Sequence, residues 1–453
     1  MLSAKWNGST WSPVGQGFDA AVHSLHYYGS RLYAGGDFVT AGATVVNHIA
    51  KWTGTAWVGM GSGMDGRVTT IATGAGQIYA SGGFDLAGGT LTDGLARWNG
   101  STWSPLDDGL GMSNGPIHTF GIDASGNLLA GGSFLKAGWH TFPRLARWDG
   151  ADWGEIGGSI TTTAGSSVNA LAVDSAGHIY VGGKFEEAGG APARHVAMWD
   201  GDSWSDFGFG LNDEVTCMAI DSRDRLYIGG AFDQLHSGYE RIAMWDGVRW
   251  HGLSYGLKEG GEEPAAMAVN SQDHLYVGGW FQKAGGGSVK YLARWLGTYW
   301  THVGGGTNGG VLAIAIDGND NVYIGGAFTE AGGISANRVA MWDGAAWHTL
   351  GSGMNDTVRA LAFDGAGNLY AGGDFTEAGG QPANRIAVWD GSQWRALGAG
   401  VDDTVEALHV IGNRVYVGGR FYNAGGQPST YIAVWNAGVI LQQKAWLPLT
   451  AAR

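Results

Sequence analysis

The chain contains one cysteine, Cys217, so no intramolecular disulfide can form. It sits in Val215-Thr216-Cys217-Met218-Ala219, where other copies of the same pattern carry Ala170, Ala313, Ala360 and Ala407. It therefore reads as a small core residue and not as a reactive thiol. Positive charge is scarce: 26 Lys and Arg stand against 40 Asp and Glu, a net charge of −14. Displacing counterions from nucleic acid needs a basic face, so nucleic acid is not expected as a partner, and anionic membrane surfaces are disfavoured. No apolar run reaches the ~18 residues that a spanning helix needs, so no membrane insertion is expected. Met1-Leu2-Ser3-Ala4-Lys5-Trp6 enters the repeat almost at once, so no secretion leader is expected in this sequence. No P-loop, G-x-S-x-G elbow, H-E-x-x-H or paired-Cys motif occurs, and no useful stretch has a helical period. No catalytic residue and no cofactor site is assigned from motifs.

Glycine and tryptophan are abundant, at 83 and 22 residues. Trp-x-Gly-x-x-Trp occurs nine times, from Trp6/Trp11 to Trp389/Trp394, and Trp435 is a tenth leading Trp without its partner at that spacing. Gly-Gly-x-Phe also recurs nine times, from Phe38 to Phe421; the second copy alone is irregular, reading Ser81-Gly82-Gly83-Phe84. One unit of about 47 residues parses into four short strands, at 358–363, 368–371, 385–389 and 393–397. Asp-Gly or Asn-Gly turns supply the positive φ of the last hairpin, and the Trp pair shares one face of the sheet.

Nine first strands begin at Val22, Val68, Ile117, Val168, Val215, Pro264, Val311, Val358 and Val405. The expected fold is all-β: residues 1–438 form a single closed β-propeller of nine four-stranded blades, with residues 439–453 as a C-terminal tail. The N-terminal strand completes the last blade and closes the ring, which leaves no free sheet edge. Tyr431–Trp435 takes the third-strand place of that blade because its loop is short, the strand after Trp11 takes the fourth, and Met1–Lys5 lies outside the sheet or on its edge. Trp446-Leu447-Pro448-Leu449 echoes Trp103-Ser104-Pro105-Leu106 and is the weaker claimant to the fourth place.

The pattern Gly-Gly-x-Phe, Ala-Gly-Gly, Asn-Arg-Ile-Ala-x-Trp-Asp-Gly-x-x-Trp, Leu-Gly-x-Gly resembles the kelch-like propeller repeats of bacterial secreted proteins, often labelled galactose-oxidase-like. It also resembles the extracellular repeats of fungal cortical polarity markers. The resemblance spans about residues 4–438. It implies a propeller and an extracellular or cell-surface location, and it is poor for function. Galactose-oxidase chemistry needs copper held by Tyr and His with a Tyr–Cys crosslink; Cys217 lies in a core strand position, so that activity is not expected.

Three blade-to-blade connectors are longer than the rest, at 107–116, 157–167 and 255–264, and all project from one face, where binding is expected. Trp139 and Trp280 stand outside the repeat grid near that face, as aromatic candidates for a sugar ring or as local packing. His26 and His409 share one first-strand position that is Ala or Gly in the other copies, and would adjoin across the nine-bladed closure. They read as polar residues beside a wet channel, or as two ligands of a metal that needs a third. Asp317-Gly318-Asn319-Asp320-Asn321 has calcium-like spacing and reads more simply as a hairpin turn. The expectation is a monomeric, non-catalytic interaction scaffold binding a protein through the connector-loop face. A carbohydrate-binding propeller is the alternative, and an enzyme on that face is the third reading.

Overall fold

The computed structural model describes residues 4–6, 11–29, 31–74, 77–84, 86–92, 95–105, 112–113, 115–138, 140–150, 152–161, 165–207, 211–233, 241–258 and 263–436. The described residues are strands and turns, and none of them forms a helix long and apolar enough to cross a membrane. The chain divides into two compact units, Met1–Gly109 and Leu110–Arg453.

The eighth repeat shows how sequence becomes blade. Val358–Phe363, Leu369–Gly373, Ile386–Trp389 and Trp394–Ala396 pair in chain order as one antiparallel sheet. In the last hairpin Trp389 lies directly opposite Trp394, so the turn has four residues. Asp390 closes it by accepting the N–H groups of Ser392 and Gln393 at 2.9 Å each, and Gly391 adopts φ 92°. Eight such Trp pairs have ring centroids 5.2–5.5 Å apart with planes tilted by 50–59°. In most repeats, though not for Trp153 or Trp250, the second indole also ties its blade to the preceding connector: Trp394 Nε1 donates to the Leu350 carbonyl at 2.8 Å, and Trp347 to that of Gly304 at 3.0 Å. Trp394→Phe keeps most of the apolar area and strands a carbonyl, so it should cost about 1–2 kcal/mol in denaturant unfolding. An unchanged midpoint would show that the bond contributes nothing.

The two glycines of Gly-Gly-x-Phe have separate jobs. A Cβ on the second would sit about 2 Å from the carbonyl oxygen just before the first strand; for Gly373 that is Thr357 O at 2.1 Å. A Cβ on the first would strike the first strand of a neighbouring blade, as Gly372 would meet Val405 Cγ1 at 2.4 Å. The motif's phenylalanine fills the blade core, and Phe328, Phe375 and Phe421 are fully buried.

Among the described residues the first unit holds two stacked four-stranded sheets, an N-terminal hairpin and two small loop hairpins. The sheets begin at Val22–Tyr28 and Arg67–Gly74, with Gly35 against Val68. In the hairpin Trp11–Pro13 pairs with Ala4–Trp6. The two strands are each other's register partners, with Trp6 opposite Trp11. The tail, residues 439–453, lies outside the described residues.

Among the described residues the second unit holds seven blade sheets, whose first strands run from Ile117–Ile122 to Val405–Ile411, besides small sheets in the loops. Six are four-stranded. Among the described residues the last has three strands, Ile432–Asn436 taking the third place as expected. Each first strand packs beside the next, and the last packs beside the first of the series. Ile117, Phe120 and Trp148 share one apolar cluster with Ala407, Tyr416 and Val434, and a Cβ on Gly418 would meet Ile117 at 2.9 Å. The neighbour of Val405–Ile411 is thus the strand of Ile117, in the place that a nine-bladed ring reserves for Val22.

In eight repeats the first glycine of the motif lies against the first strand of a neighbouring blade. The second repeat has Ser81 at that position.

Candidate functional site at the connector face

Connectors and second-to-third-strand loops meet on one face. Short bridges join them in regular repeats, as Met354 to Ala378 and Val401 to Ala424. In two of the long connectors Ile160–Thr161 and Leu257–Lys258 add a third strand to the loop hairpin. In the remaining one, Met112–Ser113 pairs with Lys136–Ala137.

Every first strand carries a β-bulge at its entrance on this face. Val358 opposes Gly373 and Ala360 opposes Gly372, so Arg359 has no ladder partner. The same slip frees His118, Asn169, Thr216, Ala265, Leu312 and Glu406 in the second unit, and His23 and Thr69 in the first. The second glycine makes the slip possible. The next residue then donates its N–H to the carbonyl before the strand, as Asp374 does to Thr357 at 2.9 Å. A bulge re-aims a side chain, and here it sets the bulged residue beside the residue that follows the two glycines.

In the second unit these paired positions build two contrasting arcs. Across the eighth, ninth and third blades they form two hydrogen-bonded polar groups. Arg359 Nε donates to Asp374 Oδ2 at 2.8 Å, and Thr404 Oγ1 donates to Asp374 Oδ1 at 2.7 Å. Arg420 Nε donates to Glu406 Oε1 at 2.5 Å; Glu406 Oε2 lies 2.5 Å from His118 Nδ1, and His118 Nε2 lies 2.8 Å from Ser133 Oγ. Across the fifth to seventh blades the same positions hold Thr216, Ala231, Ala265, Leu312 and Ala327, all half-buried, and Trp280, none of them charged. One side of Trp280 rests on the Gly310 backbone, where a Cβ would fall 2.5 Å from its ring; 36% of the residue stays open to solvent.

Burial acts to raise the Glu406 pKa. The hydrogen bond and charge of His118, then those of Arg420, outweigh it and hold the carboxyl below its usual 4.5. A carboxylate depressed in the folded state adds stability that is complete above its unfolded pKa and is lost as pH falls through the folded value. The stability gap between wild type and Glu406→Gln should therefore be constant near neutrality and shrink once pH drops below about 4.5. A gap that widens toward acid would contradict this assignment.

Of the residues singled out in the sequence, Trp280 lies in this rim. Trp139 lies outside the described residues. His26 belongs to the first unit, half-buried opposite Tyr33, and His409 to the second, opposite Tyr416, where burial lowers its pKa. Both stand three residues deeper in their strands than the bulge. Among the described residues no three His, Cys, Asp or Glu side chains cluster as metal ligands. Asp317 spends its carboxylate on the turn, accepting the N–H groups of Asn319 and Asn321 and the Asn321 side-chain amide at 2.8–3.0 Å. Cys217 is buried, which pushes its thiol up to about 12. The sequence carries a weak signal of the bulge: one variable letter stands between a mostly constant Val and a small residue, Ala, Ser, Thr or Cys.

No family model matches the chain, and no curated protein matches it. Among solved structures, the computationally designed Ika8 protein is 15% identical, covering 93% of this chain and 98% of its own, with a TM-score of 0.38. Virginiamycin B lyase from Staphylococcus aureus is 12% identical over 68% of this chain and 94% of its own, with a TM-score of 0.44. YCF48 bound to D1 peptide is 11% identical over 72% of this chain and 94% of its own, with a TM-score of 0.46.

Proposed function

We propose that the second unit is a closed seven-bladed propeller that acts as a monomeric, non-catalytic interaction scaffold and binds a protein through its connector-loop face. The carrying observation is the bulge. The same chain repeats its scaffold residues nine times and varies the one residue that the bulge turns out of the ladder. A fixed frame with a variable aimed side chain is the arrangement expected of a recognition surface. The polarised rim, apolar around Trp280 and charged around Glu406, suits a ligand with both kinds of surface. The kelch-like identity and the secreted or cell-surface location rest on the resemblance of the repeat alone, and no cofactor is invoked. Parallel peptide and glycan arrays test this reading. Binding should be to peptides, should weaken at least about tenfold in Trp280→Ala or Leu312→Asp, and should be untouched by Ser392→Glu on the opposite face. Ligand binding that ignores all rim substitutions would refute the site, and glycan-only binding would favour the carbohydrate alternative.

One observation favours a second reading, an enzyme on the same face. Ser133, His118 and Glu406 form a serine–histidine–carboxylate relay at 2.8 and 2.5 Å, in which Oγ could attack an acyl carbon and pass its proton to Nε2. Two features weigh against it. The Ser133 N–H is already spent on the Pro116 carbonyl at 2.9 Å, so it is not free to steady an oxyanion. Arg420 also shares the carboxylate. A fluorophosphonate probe should leave the protein unlabelled; stoichiometric labelling that disappears in Ser133→Ala would establish the enzyme instead.

A further inference from the structure

The first hairpin of most blades in the second unit opens on an aspartate: Asp123, Asp174, Asp221, Asp317 and Asp364. Each carboxylate does the same two things. Oδ1 accepts backbone N–H groups of the turn. Oδ2 accepts a side chain four residues on, and in several blades a tyrosine hydroxyl as well. In the fourth blade Asp174 Oδ2 takes His178 Nδ1 at 2.7 Å and Tyr180 at 3.0 Å; in the fifth Asp221 Oδ2 takes Arg225 Nε at 2.5 Å and Tyr227 at 3.1 Å.

The sixth blade keeps the donors and loses the acceptor. Its turn residue is Asn270, buried, whose Oδ1 still takes the N–H groups of Gln272 and His274 at 3.1 and 3.0 Å. Where the sister blades present the second carboxylate oxygen, Asn270 presents an NH2 group. His274 stands at the position of His178, and its Nδ1 is buried with no hydrogen-bond partner. Arg294 lies opposite Tyr276 across the ladder, with its guanidinium carbon 6.0 Å from the Tyr276 ring centroid. Strand alternation puts His274, Tyr276 and Arg294 on one face. The Arg294 Nε is also buried without a partner, and among the described residues Arg294 makes no ion pair. The matching arginine of the third blade, Arg147, has Asp123 at 3.8 Å. The nearby acids are committed elsewhere: Asp320 to Ser271 Oγ at 2.6 Å, and Asp273 to Ser222 Oγ at 2.9 Å. Burial, then the charge of Arg294, lowers the His274 pKa against the opposing charges of Asp320 and Asp273.

Buried donors without acceptors point to an occupant. We infer that the turn of the sixth blade binds a small monovalent anion of the halide class, held by Arg294 Nε, the N–H tautomer of His274 Nδ1 and the Asn270 amide. A water could accept two of these donors but cannot balance the guanidinium charge. This site lies on the face opposite the connector rim and stands whether or not that rim binds a partner.

The test is unfolding of the full chain in sodium chloride against sodium gluconate at constant ionic strength, together with anomalous diffraction from crystals grown in sodium bromide. Chloride should raise the midpoint, the unfolding constant falling about tenfold for each tenfold rise in chloride above its Kd. Asn270→Asp restores the carboxylate of the sister blades and should abolish that dependence, and Arg294→Met should weaken it. Bromide should give an anomalous peak beside Arg294. The inference is overturned if wild type is indifferent to chloride and density there is water only, or if Asn270→Asp keeps the full dependence. Should a variant not fold, presence or absence of the bromide peak in wild type decides the matter.

Discussion

Gly372→Val should unfold the second unit or destabilise it by about 3 kcal/mol or more, the upper range for overpacking a close-packed interface. The reason is the 2.4 Å approach of a Cβ at this position to Val405 Cγ1, with Leu408 Cδ1 at 3.3 Å. Neither neighbour can retreat, because Val405 is fully buried and its strand is tied to its own second strand on the other side. Ser81 holds the equivalent position in the second repeat and already carries a side chain, so Ser81→Val should cost less than about 1 kcal/mol. Equilibrium denaturation of both variants checks the pair. Equal losses would mean that the first glycine is not a stacking residue.

Phe375→Ala should cost about 3–5 kcal/mol, because the ring is fully buried and the sheet around it cannot collapse into the space. It shares a cluster with Val339, Leu369, Ala387 and Trp394 of its own blade and the preceding one. The loss should therefore appear as one cooperative shift of the second unit's transition and not as local fraying. A loss under about 1 kcal/mol would place the blade core elsewhere.

The blade itself was legible in the sequence. The strand expected at 358–363 is the observed Val358–Phe363. The second strand runs two residues further than expected, to Gly373, because Gly372 stays in the ladder opposite Ile386. Turn chemistry and alternation are local, so a single repeat suffices to read them. The order of neighbours was not legible, because each blade meets the next through the same Gly-to-Val contact whatever the number in the ring. The one letter that breaks the rule, Ser81, was visible as an irregularity, but its meaning depends on knowing that Gly35, Gly372 and their counterparts touch a neighbouring blade. The site was half legible for a similar reason. Trp280 stood out as a tryptophan off the grid. Glu406, Arg359 and His118 did not, because a bulge breaks the two-residue alternation by which a strand is read. His26 and His409 stand out by residue type instead, but they belong to the regular ladder.

The ninth repeat packs on the third, and the contact between His118 and Glu406 reports on that packing. The two residues are 288 positions apart in the chain, yet the imidazole Nδ1 lies 2.5 Å from the carboxylate, with both side chains largely buried. A double-mutant cycle of His118→Ala and Glu406→Gln, read by denaturant unfolding at neutral pH, should give a coupling energy of about 1–3 kcal/mol. A coupling within about 0.3 kcal/mol of zero, with both single variants folded, would mean that these blades do not meet, and the account of how the second unit closes would be wrong.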